Sequence, residues 1–244
     1  MRVALAALLA LILATLPVAG PRGPAAAQDQ PANPKLARLE VDIWPEFDQP
    51  SALVIIHAEI APDVSLPASA SFRIPTTSGG PAAVATTVSD SSPLLDLPYD
   101  VRDTQPDFIT LEIDVPNRFF QIEFYDELKP GTGGSNYTYL WPGDYAVGQL
   151  IMQVQQPAGA TSLTVDPDLG DPTTAPDGLL YREANLGAFE AGKALTVDVQ
   201  YQKTDPRTTA EILGLDQPQP DTGGGSSTRE TVSIVLAIAA AVAL

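Results

Sequence analysis

Two stretches of alternating residues decide the fold: RLEVDI at positions 38–43 and VIIHAEI at positions 54–60. In the first stretch Leu39, Val41 and Ile43 alternate with charged residues, and the second alternates in the same way around His57 and Glu59. Successive side chains of a β-strand point to opposite faces, so a period of two predicts strands with one buried face. We therefore expect both stretches to be strands that pack on a common core.

The same pattern recurs between residues 35 and 203, in short runs separated by proline, glycine or Asp/Ser clusters. The further candidate strands are 70–74, 83–88, 109–115, 118–125, 137–141, 145–154, 161–165, 179–185 and 194–203. About eleven strands without helices between them are typical of antiparallel sheets packed face to face. The sequence predicts an all-β protein: one antiparallel β-sandwich, immunoglobulin-like or related, over 36–203.

Composition excludes several classes of function. The 244 residues include no cysteine and one histidine, which removes disulfide scaffolds, thiolate metal sites and multi-histidine metal sites. Asp and Glu total 30 against 13 Lys and Arg, for a net charge of −17. Binding to phosphate backbones depends on positive charge, so we expect no nucleic-acid partner.

The N-terminal residues have the composition of an export signal. Arg2 is followed by an apolar run at 3–18, and Ala25, Ala26 and Ala27 provide the small residues of a cleavage site. We expect 1–27 to be a signal peptide and 28–35 a short leader. The alternative is a retained N-terminal anchor. The folded domain is then expected outside the cytoplasm, at the cell membrane.

The C-terminal residues differ from the domain in composition. Residues 204–231 are polar and rich in Pro, Gly and Ser, which predicts a disordered spacer, within which 208–215 could form a helical turn. Residues 232–244 are apolar but shorter than the roughly 20 residues that a membrane helix needs. We interpret them as a truncated membrane helix; the alternatives are a lipid-anchor signal and a soluble tail.

Candidate catalytic residues are few. His57 is the only histidine and lies on the polar side of its strand, on the same side as Glu59. A catalytic base needs a converging nucleophile and an orienting acid, whereas a surface histidine beside an acid needs neither. No phosphate-binding loop, nucleophile elbow or HExxH motif occurs. We expect no catalytic residues, no enzyme activity and no cofactor.

An acidic loop is the one candidate metal site. Asp166, Asp168, Asp171 and Asp177 place carboxylates at spacings that partly match a calcium loop. Gly170 and Asp171 are exchanged relative to that pattern, and Asp177 stands where the bidentate glutamate is expected. A solvated turn explains the same residues, so we expect no metal.

Aromatic residues are the candidate ligand contacts. Phe119, Tyr125, Tyr137, Tyr139 and Trp141 lie on neighbouring predicted strands, and rings turned toward solvent could stack on a sugar or contact a protein. The alternative is that Tyr137, Tyr139 and Trp141, which share one strand face, fill the core. We prefer the core interpretation for these three rings.

Two stretches carry a resemblance: WPGDY at 141–145, and AGK at 191–193 followed by Leu195, Val197, Val199 and Tyr201. Together with the signal, the spacer and the apolar end, these stretches resemble bacterial envelope proteins in which an immunoglobulin-like or carboxypeptidase-regulatory-like sandwich is carried on a C-terminal anchor. The resemblance covers roughly residues 36–244. The resemblance implies no catalytic residues. It implies a non-catalytic extracytoplasmic binding or scaffold module, with an envelope protein or glycan as partner and the membrane contacted through its C-terminal segment. The alternative functions are a carbohydrate-binding module and a hydrolase of envelope polymers.

Overall fold

The computed structural model describes residues 33–89 and 92–215, and this part of the chain is mostly β with almost no helix. The strands are β1 (Leu36–Pro45), β2 (Ala52–Ile60), β3 (Ala68–Pro75), β4 (Ala83–Thr87), β5 (Leu95–Asp96), β6 (Tyr99–Thr104), β7 (Phe108–Val115), β8 (Phe119–Asp126), β9 (Lys129–Gly131), β10 (Gly134–Trp141), β11 (Val147–Gln155), β12 (Ala160–Asp166), β13 (Thr173–Thr174), β14 (Leu180–Phe189) and β15 (Leu195–Lys203). The helical elements are a single 3-10 turn at Thr76–Ser78 and α1 (Thr209–Leu213). The prediction of a β protein is confirmed.

Every run predicted from alternation contains a strand, and four further strands, β5, β6, β9 and β13, have no such signal. All six residues of β6 are exposed, so no apolar residue marks a buried face in it. The other three are two or three residues long. Strands this short or this exposed leave no periodicity in the sequence.

The strands form three sheets. The largest has the order β13-β14-β11-β1-β2-β8-β4-β5, the second β12-β15-β10-β9, and the third β3-β7-β6. Every pairing is antiparallel except that of β1 with β11, where Leu36 pairs with Val147 and Ile43 with Val154. The expectation of purely antiparallel sheets is wrong at this pair. β1 and β11 are joined by a long stretch of chain, and only a short hairpin forces two neighbouring strands to run in opposite directions.

One hydrophobic core takes side chains from all three sheets. Leu39, Val41 and Ile43 of β1 belong to it, as the alternation predicts, together with Phe72 of β3 and Trp141 of β10. All five side chains are fully or almost fully buried. Burial of this apolar area, worth roughly 25 cal/mol per Å², holds the sheets together.

A second apolar cluster lies on the opposite face of the eight-stranded sheet, at one end. It contains Trp44 and Phe47, whose ring centroids are 5.0 Å apart, together with Leu53, Ile55, Leu179 and Tyr181. The backbone N–H groups of Thr209 and Ala210 donate to the carbonyls of Glu46 and Phe47 beside it, which ties α1 to this end of the sheet.

α1 begins with a capping box. The Thr208 hydroxyl accepts from the backbone N–H of Glu211, and the Glu211 carboxylate accepts from that of Thr208. Residues 204–215, which the sequence assigns to a disordered spacer, therefore include an ordered and partly buried element. The rest of that spacer, 216–231, lies outside the described residues, as do 1–27 and 232–244. Within the described ranges no helix has the length and apolarity needed to cross a membrane.

Candidate functional site

Polar and charged residues cover the middle of the eight-stranded sheet on the face opposite the core. We call this surface the acidic face and define it by Glu40 and Asp42 of β1, His57 of β2, and Gln121 and Glu123 of β8. His57 pairs with Glu40 on one side and with Gln121 on the other. Asp42 and Glu123 lie in the next row, on either side of Ile55. The alternation that buries Leu39, Val41 and Ile43 in the core puts Glu40 and Asp42 on this side.

His57 and Asp42 form a close pair on the acidic face. Nε2 of His57 lies 3.3 Å from Oδ2 of Asp42, and the His57 side chain is 45% exposed while that of Asp42 is 9% exposed. Desolvation lowers the pKa of His57, but the hydrogen bond to Asp42 and the charges of Asp42, Glu40 and Glu123 outweigh it, so the pKa is raised. The histidine therefore carries positive charge over a wider pH range than a free imidazole.

The two glutamates of the acidic face are shifted as well. Desolvation and the charge of Asp42 raise the pKa of Glu40, although Arg38, which forms an ion pair with it, opposes the shift. Desolvation also raises the pKa of Glu123, against a hydrogen bond from Gln121 and the charge of His57. In both groups the charged form is disfavoured by loss of water, so a cation brought close to either would be stabilising.

Several buried polar atoms of this sheet face have no hydrogen-bond partner. They are Nε of Arg38, Oδ1 of Asp42 and Nε1 of Trp44 on β1, and Oε1 of Gln155 on the neighbouring β11. A buried polar atom without a partner costs about 1–3 kcal/mol. Four such atoms on two adjacent strands make this the most under-satisfied polar region among the described residues.

A cavity of about 320 Å³ adjoins the acidic face. Ala83 and Ala85 of β4 pair with Glu123 and Gln121, and because alanine side chains are small they leave space between β8 and β5. Asp96 and Glu123 bring carboxylates to the cavity. Its apolar lining includes Leu94, Leu97 and Tyr99. The volume is at the lower end for ligand pockets, about 300–1,000 Å³, and suits a small group.

The His57–Asp42 pair has the geometry of a base and its orienting acid. A hydrolase also needs a nucleophile in reach of the free imidazole nitrogen. Among the described residues, the partners of His57 are Asp42, Glu40 and Glu123, none of which is a hydroxyl or a thiol. A hydrolase built on this pair could use a water molecule as its nucleophile.

The aromatic candidates divide into two groups. Tyr137, Tyr139 and Trp141 are at most 3% exposed and lie in the core, so they offer no face to a ligand and the core interpretation describes them. Phe119 and Tyr125 lie on the side of β8 that carries Gln121 and Glu123, and both are partly exposed. Phe119 and Tyr125 are six residue steps apart along the strand, about 20 Å, so they do not form one stacking platform.

Two of the four calcium candidates, Asp168 and Asp177, act as turn residues in the structure. Oδ1 of Asp168 accepts from the backbone N–H of Gly170 at 3.0 Å, and Oδ1 of Asp177 accepts from that of Leu179 at 2.9 Å. Oδ2 of Asp177 accepts from the Tyr181 hydroxyl at 2.7 Å. Among the described residues, no three carboxylate or histidine side chains form a group able to hold a metal ion, and this includes Asp166, Asp168, Asp171 and Asp177.

Sequence reasoning found His57 but did not identify the residues around it. Glu40, Asp42, Gln121 and Glu123 lie on polar sides of predicted strands, so the signal for their orientation was present. Their neighbours were not predictable, because β8 lies beside β2 although more than fifty residues of chain separate them. The cavity also needs the position of β5, which has no periodicity of its own.

Comparison with known proteins adds no family. No protein-family model matches the chain, and a search of curated proteins gives no significant match. The resemblance to bacterial envelope proteins stays a prediction.

Proposed function

We propose that this chain is a non-catalytic binding or scaffold module on the extracytoplasmic side of the cell membrane, with an envelope protein or glycan as its partner. The observation that carries the proposal is the acidic face with its adjoining cavity, a concave site whose lining includes Gln121 and Glu123 of that face. Concave sites with a few convergent polar groups are the usual form of binding sites. The signal peptide and the C-terminal membrane segment remain part of the proposal on sequence grounds.

The same proposal includes the finer fold, an antiparallel β-sandwich of immunoglobulin-like or related type. It is supported by the single core shared by three sheets and by the second apolar cluster on the outer side of the largest sheet. A sandwich leaves the outer sheet faces free for a partner, and the exposed or partly exposed part of the acidic face, at His57, Glu40 and Glu123, is such a surface.

Binding to isolated cell envelopes tests the function. The intact exported chain is sedimented with envelopes from its host, and the double variant Glu40→Gln/Asp42→Asn is compared with the matched control Asp100→Asn/Asp114→Asn. Asp100 and Asp114 are exposed residues of the three-stranded sheet, so both variants lose two negative charges. We expect the acidic-face variant to lose about tenfold in affinity and the control to stay within about twofold. Equal binding by the two variants, or no binding by the wild type, would overturn the proposal.

A hydrolase of envelope polymers is the second candidate, because His57 and Asp42 lie within 3.3 Å of each other. In that case the pair would activate water, and Asp42 would orient the imidazole. Release of soluble fragments from purified envelope polymer by the wild type, lost in His57→Ala, would favour it. Binding without fragment release favours the module.

A further inference from the structure

We propose that the cavity beside the acidic face binds a lysine side chain of a peptide or protein partner. This inference rests on the proposed function and deepens it by naming the chemistry of the partner. The shape of the cavity, its charge and its apolar wall each point to an ammonium group on a short hydrocarbon stem.

The shape follows from two small residues. Ala83 and Ala85 lie between the polar residues of β8 and the two-residue strand β5, where longer side chains would fill the space. The resulting volume of about 320 Å³ is suited to one extended side chain rather than a folded segment. The partner therefore presents a single protruding group.

The side chains that line the cavity carry negative charge and no positive charge. Glu123 lines one part of the cavity and Asp96 another, and neither forms an ion pair with any described Lys, Arg or His. No Lys or Arg lines the cavity. Gln121, which is 7% exposed, holds the Glu123 carboxylate through its amide N–H. A carboxylate held in place and partly desolvated is a strong acceptor for a cationic donor.

A second observation comes from the adjoining row of the sheet. Ala83, Glu123, Ile55 and Asp42 are successive partners across four strands. Oδ1 of Asp42 is buried without a hydrogen-bond partner, in a side chain that is 9% exposed. Asp42 and Glu40 bring further carboxylates to the same sheet face, where His57 and Arg38 partly offset their charge. The sign of the potential in the cavity is set by Glu123 and Asp96, and it selects a cation over an anion.

The apolar wall selects the stem. Leu94 and Leu97 provide aliphatic surface, and Tyr99, which is 41% exposed, provides a ring on which an ammonium group or its methylenes can pack. A lysine side chain buries its methylenes while keeping its charged end polar. An amino sugar would bring hydroxyl groups against this wall, so the geometry favours a peptide or protein partner over a glycan.

Ligand-observed NMR on the intact exported chain tests the proposal. The probe is Nα-acetyl-lysine methylamide, and the comparison compounds are its Nε-acetylated form and glucosamine. We expect the charged lysine probe to bind at least about tenfold more tightly than the neutral form, because acetylation removes the charge that Asp96 and Glu123 attract. Absence of binding by the lysine probe, equal binding of the neutral form, or tighter binding of glucosamine would each overturn the proposal.

Two variants locate the site. Glu123→Gln removes a charge from the cavity and Ala83→Leu fills its space, so each should lower the affinity for the lysine probe about tenfold or more. The control is Glu59→Gln, which removes a charge on the same sheet face outside the cavity and should change the affinity less than about twofold. The melting temperature of each variant is measured, and Asp96→Asn replaces any variant that does not fold. Wild-type probe affinity in these variants would overturn the proposal. A variant that loses binding of the lysine probe but still binds envelopes would support the cavity as the lysine site and show that the envelope contact lies elsewhere. If the wild type binds envelopes but not the lysine probe, the lysine site is contradicted and the proposed function as a binding module is not.

Discussion

At the scale of single residues, His57 is the group whose protonation most directly changes the acidic face. Its charge partly neutralises Asp42, Glu40 and Glu123, and these carboxylates in turn raise its pKa above the usual 6.5. A raised folded-state pKa gives stability that is fully present below the unfolded-state pKa. This stability is lost as the pH rises through the folded-state value.

The first prediction concerns that pH dependence. His57→Gln should lower the free energy of unfolding at pH 6, where the wild-type imidazole is charged, and should lower it much less at pH 9. Denaturant unfolding of both proteins at the two pH values measures the difference. Glu59→Gln, a neighbour that His57 does not pair with, is the control. A difference that is the same at pH 6 and pH 9 would show that His57 contributes only by packing.

At the scale of elements, β10 shows how strand alternation sorts residues between core and solvent. Tyr137, Tyr139 and Trp141 are buried, while Thr138 and Leu140 between them are exposed. The ring of Trp141 lies 5.7 Å from that of Phe189, and its side chain is 0% exposed. The strand is therefore held mainly by three rings on one side.

Trp141→Ala is the prediction at this scale. It should lower the free energy of unfolding by about 3–5 kcal/mol, because removing a buried aromatic side chain loses apolar burial and leaves a cavity. Leu140→Ala, on the exposed side of the same strand, should stay within about 0.5 kcal/mol. Chemical denaturation measures both. A loss below about 1 kcal/mol for Trp141→Ala would mean that the core closes around the gap.

How much of the structure the sequence predicts also depends on the element. Strands with one buried face, such as β3, β7 and β10, are predictable because burial imposes the period of two on their composition. The parallel pairing of β1 with β11 is not, because alternation gives the faces of a strand but not its neighbour or direction. The site follows the same division: the orientation of Glu40 and Asp42 was predictable, whereas their proximity to Glu123 was not.

At the scale of the whole molecule, one buried ion pair joins distant parts of the chain. Lys203, at the end of β15, donates to Glu46, just after β1, and its side chain is 2% exposed. The Tyr201 hydroxyl also donates to Glu46 at 2.7 Å, and Lys203 donates to the carbonyl of Arg207. The first strand, the last strand and the segment leading to α1 therefore meet at the Lys203–Glu46 ion pair.

Lys203→Met is the prediction for this junction. Removing one partner leaves Glu46 with less compensation, and breaking a buried ion pair costs about 3–5 kcal/mol. Lys129→Met, at an exposed position, is the control. The double variant Glu46→Gln/Lys203→Met should recover part of the loss, because no uncompensated charge remains. Denaturant unfolding gives the three values, and a Lys203→Met loss no larger than that of the control would contradict the role of the pair.

The parallel pairing of β1 with β11 also constrains the order in which the molecule assembles. β2 follows β1 directly and can form a hairpin with it early, but the other edge of β1 has no partner until the chain reaches Val147. High contact order of this kind slows folding. During that interval the apolar residues and open backbone of β1 are available to other chains. The strand at the centre of the finished sheet is thus the one most exposed to aggregation while the protein is being made.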